Sequence, residues 1–153
     1  MALVYFSLGS NLGKKEASIK RALIEIKKQI GFMKACSAFY TSEPWGFKSS
    51  NTFLNACAIF ETNLGPRACL STIKDIERRL GRTESPSEGY TDRVIDIDIL
   101  FYDQLIFQER NLTIPHPLLH KRLFVLNPLS EIAPNLIHPV LNKTIVSLLK
   151  EIN

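Results

Sequence analysis

The sequence has little that would staple or anchor it. Its three cysteines, Cys36, Cys57 and Cys69, are odd in number and include no C-x-x-C pair. That argues against a disulfide framework, a zinc knuckle or a thioredoxin-like redox pair, and three reduced thiols in a cytoplasmic protein are expected. No apolar run approaches the roughly 18 residues that a membrane span needs. Met1 to Phe6 has no basic residue ahead of its apolar run, so it reads as a strand and not as a signal peptide. Repeats, low-complexity segments and linkers are absent, and no Ser-His-Asp or Cys-His spacing stands out. The Walker A pattern is missing as well. Gly9-Ser10-Asn11-Leu12-Gly13-Lys14-Lys15 has three residues between its glycines where the P-loop has four, and Lys15 where it has Ser or Thr.

What is present describes one domain spanning residues 1–153. Hydrophobic residues make up 45% and charged residues 22%, which excludes a disordered chain or a coiled coil. The net charge is +4. It favours a small anionic partner such as a nucleotide. Without a clustered basic face it is no nucleic-acid footprint. A monomer that binds neither nucleic acid nor membrane is expected.

The pattern predicts a buried strand over Leu3 to Leu8 and an amphipathic helix over 15–30, closed by Gly31. A strand over Phe32 to Thr41, a loop over 43–50 and a strand over Phe53 to Thr62 follow. A second helix opens at Gly65-Pro66 and ends at Gly81. Residues 82–92 read as a mobile polar loop, and Arg93 to Tyr102 as a strand continuing through Asp103-Gln104 into a hairpin strand, Leu105 to Phe107. The proline-punctuated tail should hold short helical pieces and a last helix capped by Thr144. The order β-α-β-β-α-β with a C-terminal hairpin and helical extension is an α+β, ferredoxin-like split βαβ sandwich.

The strongest chemical signal is Arg93-Val94-Ile95-Asp96-Ile97-Asp98-Ile99. Alternation along a strand puts Asp96 and Asp98 on one face and the isoleucines on the other. Aspartate is a poor strand former, and like charges this close repel unless a cation sits between them. Mg²⁺ carried by a nucleotide suits so few protein oxygens. Arg82 and Arg93 bracket the polar loop and could act on transferring phosphates. His116 and His120 have i, i+4 spacing, but Pro115 and Pro117 flank His116, so a hydrogen-bonded loop histidine is favoured over zinc.

These residues carry a resemblance to the 6-hydroxymethyl-7,8-dihydropterin pyrophosphokinase family, over essentially the whole chain. Its markers, in order, are Gly9-Ser10-Asn11-Leu12, Phe53-Leu54-Asn55-Ala56, Gly81-Arg82, Arg93 through Leu100, Thr113-Ile114-Pro115-His116 and Arg122 through Leu129. The resemblance implies transfer of pyrophosphate from ATP to the pterin hydroxymethyl, releasing AMP, in folate biosynthesis. It implies that Asp96 and Asp98 hold two Mg²⁺ ions along the triphosphate, with Arg82 and Arg93 acting on the phosphates. It implies an ATP site drawing on Glu77, Ile99, Thr113, His116 and Arg122. The implied pterin site draws on Ser42, Glu43, Pro44, Trp45, Phe53, Asn55 and Phe124, with Tyr90 as cover. An amide such as Asn55 can present donor and acceptor to a pterin edge, and two rings can sandwich its face. The chain departs from the family in the 83–92 loop, which has no Lys or Arg and carries Tyr90 where a tryptophan is expected. It also has Asn111 where an arginine is often found. A ferredoxin-like RNA-binding module and a non-catalytic ligand-binding module are the alternatives. The first needs aromatics on the strand that here carries two aspartates.

Overall fold

The computed structural model describes residues 1–45, 51–81 and 92–153. The elements are β1 (Ala2–Ser10), α1 (Lys15–Gln29), β2 (Gly31–Cys36), β3 (Tyr40–Ser42), β4 (Phe53–Thr62), α2 (Pro66–Arg79), β5 (Asp96–Tyr102), β6 (Phe107–Glu109), β7 (Leu112–Ile114), a 3₁₀ turn (Leu119–Lys121), α3 (Leu123–Ile132) and α4 (Ile145–Ile152). The main sheet runs β2-β4-β1-β5 with β3 paired to β4, and every pairing is antiparallel. This is the expected ferredoxin-like order.

Alternation along β1 divides the core. Val4, Phe6 and Leu8 point to one face, where they meet Ile19, Leu23 and Ile26 of α1 and Ile73 and Ile76 of α2. Tyr5 points to the other, with Cys57, Ile59 and Phe101, and is covered by Val125, Leu126 and Leu129 of α3 and Leu148 of α4. The C-terminal extension thus forms a third layer, which explains why the central strands are apolar on both sides. Phe6, Phe60 and Phe101 are fully buried, each worth about 1.5–3 kcal/mol of apolar burial. Thr144 caps α4 as expected, its Oγ1 accepting the Ser147 N–H at 3.2 Å. No helix among the described residues is long and apolar enough to cross a membrane.

Four boundaries differ from expectation. The strand expected over Phe32–Thr41 is broken at 37–39. There Ser37 bonds both ways with Cys57, and Ala38 gives its N–H to a helix side chain instead of the ladder. Gly31 does not merely close α1. It begins β2 so tightly against Glu61 that a Cβ would sit 1.8 Å from the Glu61 carbonyl oxygen, so only glycine fits. The strand expected from Arg93 begins at Asp96, because the N–H and C=O of Arg93 are both taken by Asn11. The hairpin expected at Leu105–Phe107 is also displaced. Asp103 turns the chain with φ 49°, and Phe107–Glu109 pairs forward with Leu112–Ile114, not back onto β5.

Candidate active site

The sheet register builds the site. Gly9 of β1 pairs with Asn55 of β4 on one side and with Asp96 of β5 on the other. Ser7 pairs likewise with Cys57 and Asp98. Asn55, Gly9 and Asp96 therefore form one row across three strands, with Asp98 in the next row on the same face. Two strand spacings put Asn55 and Asp96 about 10 Å apart. Gly9 leaves the row open between them. A Cβ there would lie 3.3 Å from Asn55 Oδ1 and 3.5 Å from Phe53.

A cleft opens above this row. Ser42, Glu43, Trp45, Phe53, Asn55 and Phe124 line it, together with Asp96, Asp98 and Arg122. All but one of the described residues expected around a pterin are thus brought together. The exception, Pro44, lies between Glu43 and Trp45 but not in the lining. Arg122 is buried, 2% exposed. Its guanidinium stands 4.7 Å from the Trp45 ring centroid and 5.5 Å from that of Phe124, and its NH1 is 3.8 Å from Asp98 Oδ2.

A second cleft lies along the open edge of β5. Ile99, Thr113 and His116, all expected on the nucleotide, line it with Lys74, Arg110 and again Asp98. Among the described residues, Asp98 is the one common to both clefts. Arg122 was expected with the nucleotide and stands in the first cleft instead. Glu77 lines neither cleft. It is buried on α2, accepts the Ile97 N–H at 2.8 Å and pairs with Lys74 at 3.4 Å, so it fastens β5 to the helix. Arg82 and Tyr90 lie outside the described residues, as does all of the expected 82–92 loop except Asp92.

The electrostatics are uneven. Burial, then the neighbouring Asp96 charge, push the Asp98 carboxyl up to about 7, against the pull of Arg122. Asp96 is tied to Arg93, NH1 to Oδ1 at 3.5 Å. Burial, then the charge of Arg122, push His116 down to about 4, so its ring is neutral near pH 7. Its Nδ1 accepts the Leu118 N–H at 3.1 Å, which leaves the hydrogen on Nε2, 3.9 Å from Asp98 Oδ2. That pair is therefore no salt bridge. His116 offers a neutral donor beside the aspartate.

Two acids on one face, one of them held in an environment that disfavours its charge, fit a divalent cation. Among the described residues no group of three or more His, Cys, Asp or Glu could hold one alone. The remaining oxygens would come from water or phosphate, the mode suited to Mg²⁺.

Sequence reasoning missed several residues. Asn11 is buried and fixes Arg93, and its Nδ2 donates to Asp92 Oδ1 at 2.7 Å. Its place in a turn motif hid a long-range role. Lys74 and Arg110 put cations on the second cleft, where solvent-exposed helix and turn positions gave no signal. The RNA-binding alternative loses its platform, since helices cover both sheet faces.

The family model described as 7,8-dihydro-6-hydroxymethylpterin-pyrophosphokinase (HPPK) matches residues 5–134. The chain is 45% identical over 141 residues to 2-amino-4-hydroxy-6-hydroxymethyldihydropteridine pyrophosphokinase of Porphyromonas gingivalis, covering 91% of this chain and 95% of that one. It is 41% identical to the Aquifex aeolicus protein of the same name, covering 94% and 88%. It is 44% identical to the folic acid synthesis protein FOL1 of Dictyostelium discoideum, covering 93% of this chain but 21% of that protein. Its backbone also matches a crystal structure of HPPK-DHPS in complex with substrates, with TM-score 0.81 at 16% identity, covering 98% of this chain and 43% of that one. The chain belongs to the 7,8-dihydro-6-hydroxymethylpterin-pyrophosphokinase family.

Proposed function

We propose that the chain transfers the pyrophosphoryl group of ATP to the hydroxymethyl oxygen of 6-hydroxymethyl-7,8-dihydropterin, a step of folate biosynthesis. The oxygen attacks the β-phosphorus, the bond from that phosphorus to the α–β bridging oxygen breaks, and AMP leaves. The observation that carries this reading is that one carboxylate, Asp98, lines both clefts. A flat ligand over Asn55 and a polyphosphate along β5 would meet there.

The pterin is assigned to the first cleft, between Phe53, Phe124 and Trp45 over Asn55, with Ser42, Glu43, Pro44 and Tyr90 around it. The nucleotide is assigned to the second, along Ile99, Thr113 and His116, with Glu77 fixing the strand beneath. Arg93 and Arg122 hold Asp96 and Asp98 in place. With Arg82 they supply positive charge for the phosphates. Asp96 and Asp98 would hold Mg²⁺, two ions in our reading, which neutralises phosphate charge as it develops. Neutral His116 can donate through Nε2 to a phosphate oxygen without adding charge. We place the protein in the cytoplasm as a monomer, a setting that suits its free cysteines.

The test is nucleotide analysis after incubation with ATP, Mg²⁺ and the reduced pterin. AMP formed in step with pterin pyrophosphate supports the reading, and ADP in its place would replace it with single phosphoryl transfer. No nucleotide product would leave the chain a binding module.

A further inference from the structure

Neighbours determine what Asn55 shows to the first cleft. Its Nδ2 donates to the Tyr40 carbonyl at 3.3 Å and to Ser42 Oγ at 2.7 Å. A carboxamide nitrogen carries two hydrogens, so both are taken and only Oδ1 faces a ligand. A molecule in this cleft must therefore bring a donor to Asn55, not a donor and an acceptor together.

The sheet alone does not secure that arrangement. β3 has only three residues, paired from Tyr40 with Asn55 to Ser42 with Phe53, and the chain just before it leaves the ladder. The anchor comes from the opposite wall. Glu131, exposed on α3, accepts the Tyr40 hydroxyl hydrogen at 2.6 Å. Its two carboxylate oxygens also take the Ala38 N–H, at 3.2 and 3.1 Å. A hydroxyl–carboxylate bond this short belongs to the stronger, charge-assisted kind. One carboxylate thus closes the strand break and fixes the ring whose own backbone carbonyl orients Asn55. Phe124, on the other wall of the cleft, is carried by the same helix.

We propose that Glu131 is a positioning residue for the first cleft, acting through Tyr40 to keep the Asn55 amide oxygen turned toward the ligand. Glu131 does not line the cleft, so it touches no substrate. The inference deepens the reading of this cleft as the pterin site and rests on it. The donors Asn55 would select are the amino and ring N–H groups of a pterin edge.

The experiment has two arms. In the ligand-free protein, the Asn55 side-chain NH₂ resonances are identified by their loss in Asn55→Asp and followed in Glu131→Ala, Glu131→Gln and Tyr40→Phe. Glu131→Ala and Tyr40→Phe should shift these resonances and speed their hydrogen exchange. Glu131→Gln, which still accepts both bonds, should restore them largely. In the second arm, dissociation constants for the pterin and for Mg²⁺ with a non-hydrolysable ATP analogue are measured by calorimetry. Glu131→Ala should weaken pterin binding about tenfold, the weight of one such hydrogen bond, and leave the nucleotide constant unchanged. Combined with Asn55→Ala, Glu131→Ala should add almost nothing, because the two act through one amide. Unmoved Asn55 resonances in folded Glu131→Ala and Tyr40→Phe overturn the proposal, as does equal loss of both ligands or an additive double variant. A wild-type protein that binds no pterin while the resonances shift as expected would sink the pterin assignment and leave the positioning role standing.

Discussion

Asn11 clasps the Arg93 backbone with its own backbone and its side chain: the Asn11 N–H donates to the Arg93 carbonyl at 3.0 Å, and the Arg93 N–H donates to Asn11 Oδ1 at 2.6 Å. The remaining amide group of Asn11 reaches Asp92. This clasp sets where Arg93 leaves the turn, and Arg93 in turn meets Asp96. Asn11→Ala should destabilise the fold by about 1–3 kcal/mol, since it leaves buried partners unsatisfied. It should lower kcat more than it raises either KM. Thermal melts with steady-state kinetics decide it. Near wild-type kcat would mean that Arg93 needs no clasp.

Asp96 and Asp98 lie on one face, about 6.5–7 Å apart along the strand, and Asp98 is only partly wetted. Together they repel in the free protein, and under the proposed metal-holding role they would attract a cation in the loaded one. Asp98→Asn should therefore hold or raise the melting temperature of the ligand-free protein at pH 8. It should also lower the transfer rate by about three orders of magnitude. Mg²⁺ with a non-hydrolysable ATP analogue should stabilise the wild type by mass action and the variant far less. Equal stabilisation of both would remove Asp98 from the metal site.

His138 gives a stability effect away from the site. It is 5% exposed, its Nδ1 accepts the Val140 and Leu141 N–H groups at 3.2 and 3.1 Å, and its ring meets Phe101 edge-on. Burial, then nearby His120, hold its pKa below the ordinary 6.5. The folded chain thus binds this proton less readily than the unfolded one. Its contribution to stability is complete above about pH 6.5 and is lost as pH falls below that, at no more than about 1.4 kcal/mol per pH unit. His138→Asn keeps an acceptor near Nδ1 and removes the titration. Denaturant melts at pH 7.5 and 5.5 should show a smaller loss in the variant than in the wild type. An equal loss would assign the acid sensitivity elsewhere.

The strands β1 and β4, the body of β5, both long helices and the two-aspartate face were legible because each rests on a period: 3.6 residues for Ile19, Leu23 and Ile26, and two for Asp96 and Asp98. The Thr144 cap was legible from local chemistry. What escaped depends on partners distant in sequence. The break in the second strand is stabilised by Glu131, some ninety residues away, and nothing near Ala38 announces it. Arg93 looked like the start of a strand because its apolar neighbours continue the alternation, while its backbone was already engaged by Asn11. Asn55 was read as both donor and acceptor from its side chain alone. Tyr40 and Ser42 take the donors and leave the acceptor. The resemblance supplied the identities of the substrates, which no spacing could have given.

Gly9 offers the sharpest test of the first cleft. Among the described residues beyond its chain neighbours, the atoms nearest a Cβ built there belong to Asn55, Phe53 and Leu54, with no backbone atom closer than 3.9 Å, and a strand alanine ordinarily stabilises relative to glycine, by about 0.4–1 kcal/mol where its conformation fits. Gly9→Ala should therefore leave the fold intact. Its new methyl would stand 3.3 Å from Asn55 Oδ1 and 3.5 Å from the Phe53 ring, in the floor against which a flat ligand lies. Asn55 cannot readily retreat, because Tyr40 and Ser42 hold its nitrogen. The methyl thus occupies the approach to the acceptor that Asn55 offers, and the ligand loses both stacking depth and that hydrogen bond. Pterin binding should weaken at least about tenfold, since one good hydrogen bond is worth about 1–1.5 kcal/mol and each 1.4 kcal/mol is a factor of ten. Binding of the ATP analogue with Mg²⁺ should hold, because Gly9 does not line the second cleft. Calorimetric titration of both ligands into Gly9→Ala separates the two clefts directly, and an unchanged pterin constant would show that the ligand does not rest on this row.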